Sequence, residues 1–262
     1  GQILMEKQAD SHLEPASLTK LMTAYLVFEK LHAGLIHLTD QVKISEKAWR
    51  MPGSRTYVNV DTTVPLETLL KGMIIQSGND ATVTLAEFVA GSEETFVNLM
   101  NEQAQHLGLK NTHYTNSTGW PDEKQYTTAR DLARLAQTII HRFPEYYRWY
   151  SEKEFAYNNI TQGNRNLLLW RDPTVDGMKT GYTESAGYCL VTSAKRGEMR
   201  LVAVLLGSSS HKTRATEGQA MLDYGYRFFE TYKLYQAREP INTEKVWQGS
   251  RDQLPLGLET AL

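Results

Sequence analysis

Three short strings carry residue types that could do chemistry together: Ser17-Leu18-Thr19-Lys20, Ser77-Gly78-Asn79 and Lys179-Thr180-Gly181. A serine hydroxyl is a weak nucleophile until a neighbouring base takes its proton. A lysine can be that base only if its pKa falls from about 10.4 toward neutrality, which burial, a helix N-terminus and a second cation all favour. Three-residue spacing on a helix puts Ser17 and Lys20 on one face with Cβ atoms about 5–6 Å apart, so the amine can reach the hydroxyl. Lys179 supplies the second cation if its strand lies beside that helix start. Ser77 is then suited to relaying a proton to a leaving group, and the Asn79 amide to hydrogen-bonding a substrate backbone. Gly181 offers a strand edge without a side chain, against which an extended peptide can pair.

Each string alone is weak, because helix caps, helix–helix turns and strand starts use the same residues. Ser209-Ser210-His211-Lys212 matches S-x-x-K as well, but it follows K-T-G in the chain and reads as a loop. The combination is more specific. S-x-x-K, S-x-N and K-T-G occur in that order, each at an element boundary, and the trio is the signature of penicillin-binding proteins and class A β-lactamases.

The elements that must position these strings follow from periodicity. Residues 2–7, QILMEK, read as a short strand. After Pro15, SLTKLMTAYLVFEKLHAG reads as a helix so dense in apolar positions (Leu18, Leu21, Met22, Tyr25, Leu26, Phe28, Leu31) that most of it must be buried, with Gly34 as its C-cap. Helical spacing returns at about 65–75, 79–90, 93–107 and 128–142, the first opened by a proline. From residue 152, EFAYNNI, RNLLLW, GYCLVTSAKR and MRLVAVLLG read as strands, with Arg196-Gly197-Glu198 as the last turn, and TRATEGQAMLDYGYRFFETYK closes as a helix. K-T-G is expected to start the first long strand. The prediction is an α+β domain over residues 1–233, an antiparallel sheet with a first strand from the N-terminal end, packed helices and a helical subdomain. Residues 234–262 read as the beginning of a truncated, β-rich second domain.

The 262 residues are 41% hydrophobic and 22% charged, enough for a sizeable core. With 28 Lys+Arg against 30 Asp+Glu and no basic run, nucleic acid is excluded as a partner, and so is a broad anionic membrane face. The longest strongly apolar run, Leu201–Leu206, is far short of the roughly 20 residues of a membrane helix. Cys189, the single cysteine, has no disulfide partner and reads as an inert packed thiol. No Cys or His pair has zinc spacing, so neither a metal nor another cofactor is expected. His32 and His37 read as solvated or capping residues at a helix end, and Phe143, Tyr146, Tyr147, Trp149 and Tyr150 as packing. G-x-S-x-G, P-loop and G-x-G-x-x-G patterns are missing. The chain begins with Gly1 and shows no h-region, which reads as a processed or trimmed form carrying no legible targeting signal.

The strings EPASLTKLMTAYLVFE, KGMIIQSGNDA, TARDLARLA, VDGMKTGYTESAGYCLVTSAKRGEMRLVAVLLG and YGYRFFE together resemble the type-5 D-alanyl-D-alanine carboxypeptidases, low-molecular-mass penicillin-binding proteins of bacterial cell-wall metabolism. The likeness runs from Gly1 to about Lys233. It implies a β-lactamase/transpeptidase-like fold and a periplasmic serine DD-peptidase, associated with the inner membrane in its full-length form. The substrate would be the peptidoglycan stem pentapeptide, which loses its terminal D-alanine, and β-lactams would acylate the enzyme. It also implies roles: Ser17 the acylated nucleophile, Lys20 its general base, Ser77 and Lys179 the relay to the leaving amine. Asn79 would hold the acyl side, Thr180 and Arg214 the terminal carboxylate, and the N–H groups of Ser17 and Tyr182 would form the oxyanion hole. Arg165 matches a family position near the site. From spacing alone, Arg214 reads as a surface salt bridge on the last helix.

The chain departs from the family at position 182, where Tyr stands in place of a small residue or histidine, and at both ends, where a signal peptide, an opening strand, most of a second domain and an amphipathic anchor are expected. Three rivals remain: a class A β-lactamase, a DD-endopeptidase and a non-catalytic penicillin-sensing or peptidoglycan-binding module. The β-lactamase needs a glutamate to activate water. Glu94, in an E-x-x-x-N spacing, falls inside an amphipathic helix and reads as structural.

Overall fold

The computed structural model describes residues 1–232, 235 and 237–259, in two compact units, Gly1–Gly225 and Tyr226–Leu262. The expected boundary after Lys233 lies outside the described residues. In the second unit β8 (Pro240–Lys245) and β9 (Gln253–Gly257) form an antiparallel hairpin.

The first unit is built around α1 (Lys20–His32), entered by a 3-10 turn, Ala16–Thr19. From Lys20 through Phe28 every residue is buried, which the dense apolar pattern requires. Gly34, at φ +68°, ends the helix. Its N–H returns to the Leu31 carbonyl and that of Leu35 to Lys30, the paired bonds that a left-handed residue makes possible. After the short elements β1 (Gln41–Lys43), α2 (Glu46–Trp49) and β2 (Thr63–Pro65), the helices α3 (Leu66–Gln76), α4 (Asn79–Ala90), α5 (Glu93–His106) and α6 (Ala129–Arg142) pack around α1, close to the expected bounds. Serine or threonine hydroxyls cap two of them: Ser92 accepts from the Thr95 N–H and Thr128 from the Asp131 N–H. The expected aromatic packing is present. Phe143 meets Tyr25 edge-on at 5.3 Å and Phe28 at 5.8 Å, and Tyr146 stacks on Phe28.

Beyond the single turns α7 (Pro144–Tyr147) and α8 (Leu168–Arg171), the main sheet has the order β5 (Val175–Thr183), β6 (Gly187–Arg196), β7 (Met199–Ser208), all antiparallel, and α9 (His211–Phe228) follows. This leaves β5 as an edge strand.

Four expectations are corrected. QILMEK is not a strand: Ile3 and Met5 are exposed, and the segment is tied down by Arg130, which pairs with Glu6 at 2.8 Å and Asp10 at 2.7 Å. Ion pairs, not a ladder, hold it. EFAYNNI turns back on itself at Asn158-Asn159, both at positive φ, so β3 (Glu154–Tyr157) and β4 (Ile160–Gly163) make a two-residue hairpin. RNLLLW is loop and one helical turn (Leu168–Arg171), because Asn166 Oδ1 takes the Leu168 N–H and Asn164 Oδ1 takes that of Asn166, offering the backbone a turn in place of a ladder. The second S-x-x-K is not wholly loop. Ser210 caps α9 by accepting from the Thr213 N–H at 3.0 Å, and His211 and Lys212 are already helical.

Phe143 is fully buried against the rings of Tyr25, Phe28 and His32. Phe143→Ala is expected to lower unfolding stability by about 3–5 kcal/mol, read as a shift of the urea midpoint with unchanged slope.

Candidate active site

Ser17 sits in the 3-10 turn, partly open to solvent, directly after Ala16 at φ +46°. Lys20 opens α1 one turn later and is buried. Its Nζ lies 3.0 Å from Ser17 Oγ and donates to Asn79 Oδ1 at 2.7 Å and to the Thr118 carbonyl at 2.6 Å. The Asn79 Nδ2 donates to the Pro52 carbonyl at 2.6 Å, which fixes the amide with its oxygen toward the lysine. Asn79 can point there because α3 and α4 are joined by two residues only: Ser77 in the left-handed region at φ +63°, then Gly78. Ser77 Oγ is buried with no hydrogen-bond partner, and Ser77 lines the cavity described below.

K-T-G lies within β5 and not at its start, beside the Ser17 turn. A Cβ at Gly181 would stand 3.1 Å from Ala16 Cβ, the Pro15 oxygen and the Ser17 nitrogen, so the missing Cβ leaves room for the strand to lie close against the Ser17 backbone. Gly119, at φ +84°, closes the turn from the other side, where any Cβ would overlap the Ala16 carbonyl.

Burial pushes the Lys20 ammonium down to about 7, with the Arg165 charge adding to the shift and Asp80 opposing it. Burial also drives Lys179 well below the usual lysine range, helped by Lys20, Arg165 and Arg214. Arg165 is therefore a further cation acting on Lys20, and the charge of Lys20 is felt at Lys179, so the two buried lysines are coupled. The Lys179 Nζ donates to the Thr180 carbonyl at 3.0 Å, and no bond joins it to Ser77.

A cavity of about 760 Å³ opens at Ser17 and is also lined by Ser77, Asn79, Thr180, Gly181 and Tyr182. Arg165 and Arg214 reach it as well. Arg214 is not a surface ion pair. It is buried, its Nη1 donates to the carbonyls of Gly181 and Cys189, and its guanidinium lies 5.6 Å from the Tyr188 ring. Tyr182, 54% exposed on the rim, lies against Tyr188 at 4.3 Å between ring centroids. Arg165 is held by Ser54 Oγ at 2.7 Å. Glu94 is on the exposed face of α5, paired with Lys47 at 2.9 Å. Cys189 is buried, and burial raises its thiol pKa.

Sequence reasoning missed the loop that supplies the third contact of Lys20. Asn116 Oδ1 accepts from the N–H groups of Thr118, Gly119 and Trp120, folding Asn-Ser-Thr-Gly-Trp into a tight turn. The run of turn-forming residues was its only signal. Asp80 was also missed. Its buried carboxylate accepts from the N–H groups of Thr56, Tyr57 and Val58 and so anchors the segment next to Ser54. Among the described residues no group of three or more His, Cys, Asp or Glu is placed to hold a metal ion, and no helix is long and apolar enough to cross a membrane.

Solved penicillin-binding proteins superpose on the whole of this arrangement, in which the edge strand of an antiparallel sheet lies against the first turn of a buried helix, and the fold is therefore that of the transpeptidase/β-lactamase class. Within that class the D-alanyl-D-alanine carboxypeptidase family model matches residues 1–210, and the chain belongs to this family. It is 45% identical over 264 residues to the D-alanyl-D-alanine carboxypeptidase DacC of Escherichia coli, covering 98% of this chain and 66% of that protein. It is 44% identical to DacA of Haemophilus influenzae, covering 98% and 67%. The chain thus spans about two thirds of the length of these relatives. Penicillin binding protein 5 from Haemophilus influenzae superposes with a TM-score of 0.93 at 43% identity, over 100% of this chain and 77% of that one.

Because any Cβ at position 119 strikes backbone, and the φ there is positive, Gly119→Ala is expected to cost more than about 1 kcal/mol of stability and to displace the Ser17 turn. Denaturant titration measures the first. The second would appear as lost labelling of Ser17 in the fraction that remains folded.

Proposed function

We propose that the protein is a serine D-Ala-D-Ala carboxypeptidase that removes the terminal D-alanine of the peptidoglycan stem pentapeptide through an acyl-enzyme, and that β-lactams block it by acylating the same serine. The Lys20 amine carries this reading. A neutral amine has two N–H bonds and one lone pair. Asn79 Oδ1 and the Thr118 carbonyl can only accept, so they take both N–H bonds, and the lone pair is left for the Ser17 hydroxyl 3.0 Å away. A pKa near 7 makes that neutral form abundant at neutral pH.

On this reading Ser17 Oγ attacks the carbonyl of the penultimate D-alanine and Lys20 takes its proton. The N–H groups of Ser17 and Tyr182 hold the oxyanion, one such donor contributing about 2.7–4 kcal/mol. Ser77 and Lys179 pass a proton to the departing amine. Asn79 holds the acyl side, Thr180 and Arg214 the terminal carboxylate, and Gly181 leaves the β5 edge open to the peptide backbone, with Arg165 at the cavity wall. Water then releases the shortened peptide. A β-lactam's leaving amine stays tethered after ring opening, obstructing that water. Residues 1–233 would form the catalytic domain and 234–262 the start of a β-rich second one. The protein would work in the periplasm, with any inner-membrane anchoring made by other segments of a longer chain.

Digestion of pentapeptide muropeptides is expected to release free D-alanine, identified by mass. Cleaved cross-links in its place would indicate an endopeptidase, and acylation with no product a sensing module. A fluorescent penicillin is expected to label Ser17 and persist beyond a peptide turnover, with Glu94→Gln unchanged. An adduct on Ser209, or rapid turnover that Glu94→Gln abolishes, would overturn the assignment.

The pH dependence has a defined sign. Lys20 is protonated below about 7 and cannot accept a proton there, so the acylation rate should fall as pH drops through that value and level off above it. Lys20→Arg keeps the charge but has no accessible neutral form, and should slow acylation by about 10²–10⁴-fold across the range. Stopped-flow acylation against pH measures both.

A further inference from the structure

Glu93, the first residue of α5, faces the loop that meets Lys20. Its side chain is only 12% exposed. One carboxylate oxygen accepts from the Ser117 hydroxyl at 2.7 Å and from the Ser117 N–H at 3.2 Å, while the other pairs with Lys47 at 3.0 Å. Ser117 is itself buried, and its carbonyl accepts from Thr23 Oγ1 of α1 at 2.7 Å. The next carbonyl, that of Thr118, accepts from Lys20 Nζ. Lys20 and Thr23 are neighbours on α1, so two successive carbonyls of the loop dock on one helix face, and Glu93 holds the peptide unit immediately before them.

We propose that Glu93 is a positioning residue for Ser17 acylation: by fixing both hydrogen-bond donors of Ser117, its N–H and its hydroxyl, it holds the Thr118 carbonyl where it occupies one Lys20 N–H and directs the amine's lone pair at Ser17. This rests on the proposed role of Lys20 as base. If the Thr118 carbonyl drifts, Lys20 regains rotational freedom, and the lone pair no longer has a single direction available. Displacement of a reacting group by about 1 Å can cost as much as 10²-fold in rate. The role needs a carboxyl or carboxamide oxygen at this reach and does not need the negative charge, since toward Glu93 Ser117 only donates. Lys47 is a partner of the charge and has no part in the positioning.

Saturation kinetics of fluorescent-penicillin acylation test this in the whole chain. Glu93→Ala is expected to lower the limiting acylation rate at least about tenfold, with little change in the half-saturating concentration, because binding is intact and only the base is misdirected. Glu93→Gln, which keeps the acceptor oxygen, should restore most of the rate, and Lys47→Ala should leave it unchanged. Should Glu93→Ala not fold, Glu93→Asp keeps the charge but draws the oxygen back from Ser117, and the same loss is expected. An unchanged limiting rate in Glu93→Ala or Glu93→Asp, no rescue by Glu93→Gln, or an equal loss in Lys47→Ala would overturn the inference. A wild-type protein that is not acylated at all would instead remove the assignment of Ser17 and Lys20 on which it rests.

Discussion

The fold is organised around the problem of keeping an amine dry. A lysine ammonium taken from water with no partner is strongly destabilising, and proteins resolve this by neutralising the group or by surrounding it with acceptors. Here both occur. Lys20 is enclosed at the N-terminal end of a helix that is buried along most of its length, its pKa falls to about 7, and two oxygen acceptors come from distant parts of the chain. Each acceptor has its own support. Asn79 is oriented by the Pro52 carbonyl and by the left-handed Ser77 that joins α3 to α4. Thr118 is oriented by Asn116 within its loop and by the bonds that Glu93 and Thr23 make to Ser117.

Two backbone approaches complete the arrangement, and both depend on a missing side chain. Gly181 lets the edge of the sheet come against Ser17, while Gly119 lets the loop close over Ala16. The helical part of the molecule thus supplies the buried amine and its acceptors, and the sheet supplies an open strand edge. Arg214 joins the two by reaching from α9 to carbonyls on β5 and β6 under the Tyr188 ring. Tyr182, the departure from the family pattern, extends this aromatic surface onto the cavity rim by lying against Tyr188.

Much of this was legible in the chain. Helix positions followed from apolar spacing, since a helix packed on all sides must be largely apolar on all sides, as α1 is from Leu21 to Phe28 with Thr23 the one exception. The hairpin of β6 and β7 followed from two apolar runs flanking Arg196-Gly197-Glu198. Where the reading failed, local polar chemistry overrode the pattern. Asn164 and Asn166 turned RNLLLW into a helical turn, Asn158 and Asn159 folded a strand back, and Arg130 held QILMEK by charge alone. A hydrophobic run shows that a segment is buried, but not which polar neighbour has claimed its backbone.

The sequence by itself determined the reactive residue types, their order, and the one local pair, Ser17 with Lys20, because three-residue spacing on a helix is a geometric constant. Only the tertiary structure decided that the Arg165 charge also acts on that lysine, that Arg214 is buried against Tyr188 and not solvated, and that Thr118 supplies an acceptor through its carbonyl. The reason is physical. Dielectric, field and backbone approach are set by whatever surrounds a group in space, and a main-chain carbonyl carries the same chemistry at every position until the fold aims it.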